Sequence, residues 1–110
     1  MKAQSHIAID LGAGSGRIMI GTRQKDEIRL VEAARFSHLM KSVDGVLCWD
    51  YQGLLHNLIN AFHGVCSKLD TVPQSISCDS WAQDFALLDT SGKICGEIVS
   101  YREQRTADMP

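Results

Sequence analysis

The sequence predicts an α/β domain built on a mixed sheet, and three observations carry that expectation. Two short β-branched stretches, Ile7-Ala8-Ile9 and Ile18-Met19-Ile20, flank the Gly-rich segment Gly12-Ala13-Gly14-Ser15-Gly16. Residues 51–69 then place apolar side chains at steps of three and four. After Pro73, short apolar stretches bounded by turn residues return.

Residues 6–10 and 17–22 are rich in β-branched side chains and too short for helices, so they read as two strands joined by the glycine turn. A polar turn, Gln24-Lys25-Asp26, leads to a third strand through Ile28, Leu30 and residues 32–36. Together these make an antiparallel β-meander over residues 6–36. Residues 42–45 read as a loop, and Asp50 is placed to cap the helix that follows. In that helix Leu54, Leu55, Leu58, Ile59, Phe62, Val65, Cys66 and Leu69 form the inner face, with Asn57, Asn60, His63 and Lys68 on the other. Residues 75–79 resume as a strand. Residues 85–89, the turn Thr90-Ser91-Gly92-Lys93 and residues 94–101 then read as one further hairpin.

The chain has 110 residues, enough for one domain with one core and too few for two. Hydrophobic residues at 45% and charged residues at 22% match ordinary globular usage, which excludes a disordered or fibrous chain. A net charge of −2 with interspersed signs offers no basic stripe for nucleic acid. The apolar run before Asp10 is too short for a secretory signal, and no window approaches a membrane-spanning length. No membrane or nucleic-acid partner is expected, and the expected location is the cytoplasm. Cys48, Cys66, Cys78 and Cys95 lie far apart without a C-x-x-C, each in an apolar stretch, and read as reduced core thiols. His6, His38, His56 and His63 form no metal-binding pattern; His56 and His63 lie about 10 Å apart along a helix, too far to share one ion.

The segment with most chemistry is Asp10-Leu11-Gly12-Ala13-Gly14-Ser15-Gly16-Arg17, because alternate glycines let backbone N–H groups approach a ligand. A dinucleotide-binding loop needs G-x-G-x-x-G opening into a helix, whereas here the spacing is G-x-G-x-G and a β-branched stretch follows. A P-loop needs Gly-Lys-Ser/Thr, and Gly16 is followed by Arg17. A strand, a carboxylate, a glycine hairpin and a returning strand fit instead the phosphate hairpin of the actin and sugar-kinase superfamily. A carboxylate in that position suits Mg²⁺ beside ATP phosphates. The plain alternative is a glycine hairpin with an exposed aspartate.

The run from Ile9 to Arg17 resembles the first phosphate motif of the FGGY carbohydrate kinases, closest to their rhamnulokinase branch. Further matches follow in order: Arg35-Phe36, Trp49-Asp50, Asp79-Ser80-Trp81, Asp84-Phe85-Ala86-Leu87-Leu88-Asp89, Tyr101-Arg102 and Arg105-Thr106. The resemblance implies an actin-like ATPase fold of the ribonuclease H-like type, with residues 1–110 as the first part of its N-terminal lobe. It also implies transfer of the ATP γ-phosphate to L-rhamnulose or a related ketose. Carried over by position, Ala13, Gly14, Ser15, Gly16 and Arg17 line the ATP phosphates, and Asp10 acts on Mg²⁺ through water. Trp81, Ala82, Gln83 and Asp84 approach the sugar, with Tyr101 and Arg105 closing the pocket. As plain alternatives, Trp81 is a core aromatic, Tyr101 a strand-end tyrosine and Arg105 a solvated cation.

Two departures from the family pattern matter. Where the rhamnulokinase branch has Gly-Val-Asp-Phe after the tryptophan, this sequence has Ala82-Gln83-Asp84-Phe85, which puts the preferred sugar in doubt. Family members are several times longer, and their catalytic aspartate and adenosine-binding lobe are expected beyond Pro110, so the missing C-terminal part is itself an expected partner. The competing reading is a non-catalytic actin-like nucleotide-binding or scaffold module, for which the aromatic, polar segment 79–84 has no evident use.

Overall fold

The computed structural model describes residues 4–12, 14–37, 40–101 and 103. Its first three strands are β1 (Gln4–Leu11), β2 (Ser15–Gln24) and β3 (Glu27–Ser37), each antiparallel to the next. The expected meander is therefore present, and β2 begins where a dinucleotide fold would begin a helix. A register shift between Ile18 and Met19 marks an irregularity in the β2–β3 ladder. Alternation puts Ile7 and Ile9 of β1 on the same face as Ile18 of β2, and all three are buried.

Helix α1 (Tyr51–Cys66) covers that face. The Asp50 side chain accepts from the Gly53 backbone N–H at 3.1 Å, so the expected cap is in place. Val65 is fully buried against Ile7, Ile9, Ile18 and Phe36, while Leu54, Leu58, Phe62 and Leu69 pack around them. The helix ends three residues earlier than the periodicity suggests. Its last turn tightens, with Lys68 donating to the Val65 carbonyl and Leu69 to that of Cys66, so Leu69 still reaches the core. Asn57, expected on the outer face, donates to the Ser37 carbonyl at 3.3 Å and ties the helix to the end of β3.

Two expectations are corrected here. Residues 42–45 are not a loop: β4 (Met40–Val43) and β5 (Val46–Trp49) form a tight antiparallel hairpin about Asp44-Gly45. Asp44 at φ 52 and Gly45 at φ 80 both occupy the left-handed region that a two-residue hairpin of right-handed twist requires. Residues 85–101 are not one hairpin either. Only β7 (Leu87–Leu88) and β8 (Ile94–Cys95) pair with each other, because Gly96 at φ 69 turns the chain away and β9 (Ile98–Val99) joins β5. The thiols also divide. All four are free, but only Cys48 is buried, Cys66 is half-buried, and Cys78 and Cys95 are exposed.

Strand β6 (Ser75–Asp79) completes the main sheet, whose order is β3-β2-β1-β6 with β6 parallel to β1. The sheet is mixed, as expected. Helix α1 lies between the meander and β6 in sequence and packs chiefly on β2 and β3. The radius of gyration is 17.3 Å, well above the ~13 Å of a compact chain near this length, and Phe85, Leu87 and Leu88 after β6 are exposed. Among the described residues no helix is long and apolar enough to cross a membrane.

Candidate active site

At the upper end of the main sheet, Asp10 near the end of β1 stands between two cross-strand neighbours, Arg17 on β2 and Asp79 on β6. Because β1 and β6 run parallel, both carboxylates occupy the C-terminal ends of adjacent strands, where open α/β sheets bind ligands. Arg17 Nη2 donates to Asp10 Oδ2 at 2.5 Å. The two side chains are 41% and 30% exposed, so the ion pair contributes little to stability and stays accessible to a ligand. A hydrogen bond shared with Asp79, followed by the Arg17 guanidinium, holds the Asp10 carboxyl below the ordinary carboxylate value. The same shared bond, with the Asp10 charge behind it, pushes Asp79 up. One carboxylate is thus kept ionised and its neighbour is the more readily protonated.

The turn between β1 and β2 closes through the Gly12 N–H, which donates to the Ser15 carbonyl at 3.1 Å. Its glycines serve different ends. A Cβ on Gly16 would lie 2.2 Å from Phe36 Cζ, so Gly16 is required by the core beneath the turn. A Cβ on Gly14 would meet nothing within 4 Å, so the space over the turn is open to a ligand. Beside it Arg35 donates to Ser15 Oγ at 3.3 Å and pairs with Glu32 at 2.7 Å. Ala13 lies outside the described residues.

The segment after β6 reaches back to this turn. Trp81 Nε1 donates to the Gly12 carbonyl at 2.8 Å, and its ring stacks on Trp49 with centroids 4.1 Å apart at 20°. Trp49, at the end of β5, is 1% exposed and donates from Nε1 to Asp84 Oδ2 at 2.5 Å. The Tyr101 ring lies 6.4 Å from that of Trp49. Trp81, Ala82, Gln83 and Tyr101 together line an open pocket of about 210 Å³. A neighbouring cavity of about 330 Å³ shares Gln83 and Tyr101 and adds Asp84, Glu97 and Glu103. The fold thus brings the residues expected at the sugar to within one hydrogen bond of the expected phosphate turn. Asp84 points its carboxylate at Trp49, and Arg105 lies outside the described residues.

Sequence reasoning missed the pairing of Asp79 with Asp10, the Ser15–Arg35 contact and the central place of Trp49. A carboxylate at a strand end was visible twice, at Asp10 and at Asp79, but which strands lie side by side is not written in local periodicity. Chemically, the site offers a hard, ionised oxygen donor, a guanidinium and an uncovered glycine turn. Among the described residues no three His, Cys, Asp or Glu side chains cluster to hold a metal by themselves.

The rhamnulokinase of Yersinia pestis (strain Pestoides F) is 40% identical over 105 residues, covering 91% of this chain and 21% of its own length. That of Klebsiella pneumoniae (strain 342) is 36% identical over 111 aligned positions, covering 99% of this chain and 22% of its own. The chain is similar to rhamnulokinases over almost all of its length. The rhamnulokinase of Oceanobacillus iheyensis, at 34% identity over 108 residues, extends the likeness to a further organism. No protein-family model matches the chain. The chain spans about a fifth of the length of the curated relatives it matches.

Proposed function

We propose that this chain is the phosphate-binding and sugar-binding part of an ATP-dependent sugar kinase with an actin-like fold, acting on L-rhamnulose or a related ketose. The observation that carries the proposal is the hydrogen bond from Trp81 to the Gly12 carbonyl, which sets an aromatic pocket beside an open glycine turn and an ionised carboxylate. Phosphoryl transfer needs both partners held close, and catalysis is mostly positioning and charge stabilisation. The likeness to rhamnulokinases supports the same reading.

ATP and Mg²⁺ fit the residues present. The Asp10 carboxylate is ionised and partly exposed, as an oxygen ligand acting on Mg²⁺ through water must be. The turn at Gly14 has free space where a phosphate would sit, and Gly14, Ser15, Gly16 and Arg17, with Ala13 between Gly12 and Gly14, would line it. When bound, Mg²⁺ supplies charge neutralisation of the phosphate oxygens. Arg17 supplies a cation beside the turn, Arg35 orients the Ser15 hydroxyl, and Trp81 with Tyr101 walls the sugar pocket. The general base and the adenosine site belong to the longer protein, so the segment alone is expected to be inactive.

Ala82 and Gln83 line the pocket, so the substitution of a family glycine by alanine acts directly on ligand space. A methyl-sized change alters preference by about 1–3 kcal/mol, whereas a new donor and acceptor at Gln83 can discriminate more strongly. ADP release by the full-length protein, measured against L-rhamnulose, L-fuculose, L-ribulose and D-xylulose, tests the proposal. Turnover with at least one ketose is expected, and Ala82→Gly is expected to shift the ranking towards L-rhamnulose. No turnover with any sugar contradicts the kinase reading. Turnover with an unshifted ranking contradicts only the role of Ala82.

A further inference from the structure

Trp81 belongs to two sites at once. One part of its ring forms a wall of the pocket shared with Ala82, Gln83 and Tyr101. Its Nε1 donates to the carbonyl of Gly12, the residue whose own N–H closes the glycine turn on Ser15. The Gly12 carbonyl thus ties the turn to Trp81, while the Gly12 N–H ties it to Ser15. The other ring contact, the stack on the buried Trp49, holds Trp81 against a part of the core that is itself pinned by Asp84. The indole is therefore in contact with the pocket, with the turn and with Trp49 at once.

We infer that Trp81 is a positioning residue that couples occupancy of the sugar pocket to the shape of the phosphate turn, through its hydrogen bond to Gly12. The inference rests on the sugar-kinase reading and adds to it a mutual dependence of two ligands. A sugar packed against Trp81 restricts the indole, the restricted indole holds the Gly12 carbonyl, and the turn presents its N–H groups to phosphate in one orientation. By linkage the dependence runs both ways: bound nucleotide tightens sugar binding by the same factor that bound sugar tightens nucleotide binding.

The test is equilibrium binding to the full-length protein with MgADP, which cannot turn over. The Kd of MgADP is measured with and without a saturating ketose that the wild type phosphorylates, and the sugar Kd with and without MgADP. The wild type is expected to show reciprocal tightening of about 5-fold or more. Trp81→Phe keeps a ring to stack on Trp49 and loses the donor, and is expected to bring both ratios close to 1. A closer isostere, β-(3-benzothienyl)alanine incorporated at position 81, keeps the bicyclic shape and replaces the N–H with sulfur. It is expected to do the same where Trp81→Phe fails to fold. A merely structural role for Trp81 weakens the individual affinities and leaves the ratio intact, so an unchanged ratio in either variant overturns the inference. A wild type with no coupling overturns it too. A wild type that phosphorylates no ketose overturns the functional reading beneath it, a result separable from the others because it appears before any variant is made.

Discussion

The meander with its helix, residues 4–66, and the segment of residues 75–101 are built on different principles. The first has the long strands β1, β2 and β3 paired side by side and a contiguous core of Ile7, Ile9, Ile18, Phe36 and Val65. The second has one five-residue strand, β6, and then strands of two residues, and leaves Phe85, Leu87 and Leu88 more than half exposed. What holds the second to the first is the parallel pairing of β6 with β1, the short pairing of β9 with β5, and directed contacts from Trp81 and Asp84 to Gly12 and Trp49. The lesson is that the turn is shaped by a core that closes over itself, while the segment around Trp81 and Asp84 is positioned by aromatic stacking and hydrogen bonds. Ligand-facing segments are commonly drawn from such less self-supporting parts of a fold.

The largest effect is expected where the two regions meet. Trp49→Ala removes a buried ring, its stack on Trp81 and the donor to Asp84, and is expected to cost about 3–5 kcal/mol in urea unfolding. Hydrogen exchange should then show residues 81–101 losing protection before β1 and β2. Equal loss in both regions would erase the contrast drawn here.

A smaller effect distinguishes the two glycines of the turn. Gly16→Ala drives a methyl group into the Phe36 ring and is expected to destabilise by about 1–3 kcal/mol. Gly14→Ala meets open space and is expected to change stability by less than about 0.5 kcal/mol, while weakening MgADP binding to the full-length protein. Matching thermal shifts for the two variants would show that the turn has no such division.

Much of the first region was legible in the sequence, because its signals are local. Alternating β-branched residues marked β1 and β2, three- and four-residue steps marked α1, and Asp50 marked the start of the helix. The hairpin of β4 and β5 also had a local signal in Asp44-Gly45 between Val43 and Val46, which reading the segment as a loop passed over. In the second region the decisive partners are distant. Ile98 and Val99 bond to β5 across some fifty residues, and Asp79 meets Asp10 only because β6 lies parallel to β1. No periodicity in either segment encodes those neighbours. Asp10 drew notice through the glycine turn that follows it and Trp81 through resemblance, but that a hydrogen bond from Trp81 reaches the turn was not visible before folding.

The smallest expected effect lies in the β7–β8 turn. Asp89 Oδ1 accepts from Ser91 N–H, Ser91 Oγ and Lys93 N–H at 2.7–2.9 Å. The Lys93 backbone N–H, then the Ser91 hydroxyl, lower its folded-state pKa below the ordinary 3.8. A depressed carboxylate stabilises the turn above its unfolded pKa, and that contribution fades as pH falls through the folded value. Protection of the Lys93 amide, relative to its intrinsic exchange rate at each pH, is expected to fall below about pH 4, while protection in β1 and β2 does not follow it. Uniform behaviour across both regions would count against local control by Asp89.

The central claim is that Asp10 and the turn beside it handle the phosphates, and the sugar pocket is a separate contributor to the same reaction. Asp10→Asn in the full-length protein addresses it most directly, through kcat at saturating ATP and Mg²⁺ and the Kd of the sugar alone. A lost contact to the cation acts on the transition state, so kcat is expected to fall by about 100-fold or more. The sugar Kd is expected to stay within about twofold, because Trp81, Ala82, Gln83 and Tyr101 keep their places. An unchanged kcat would contradict the account.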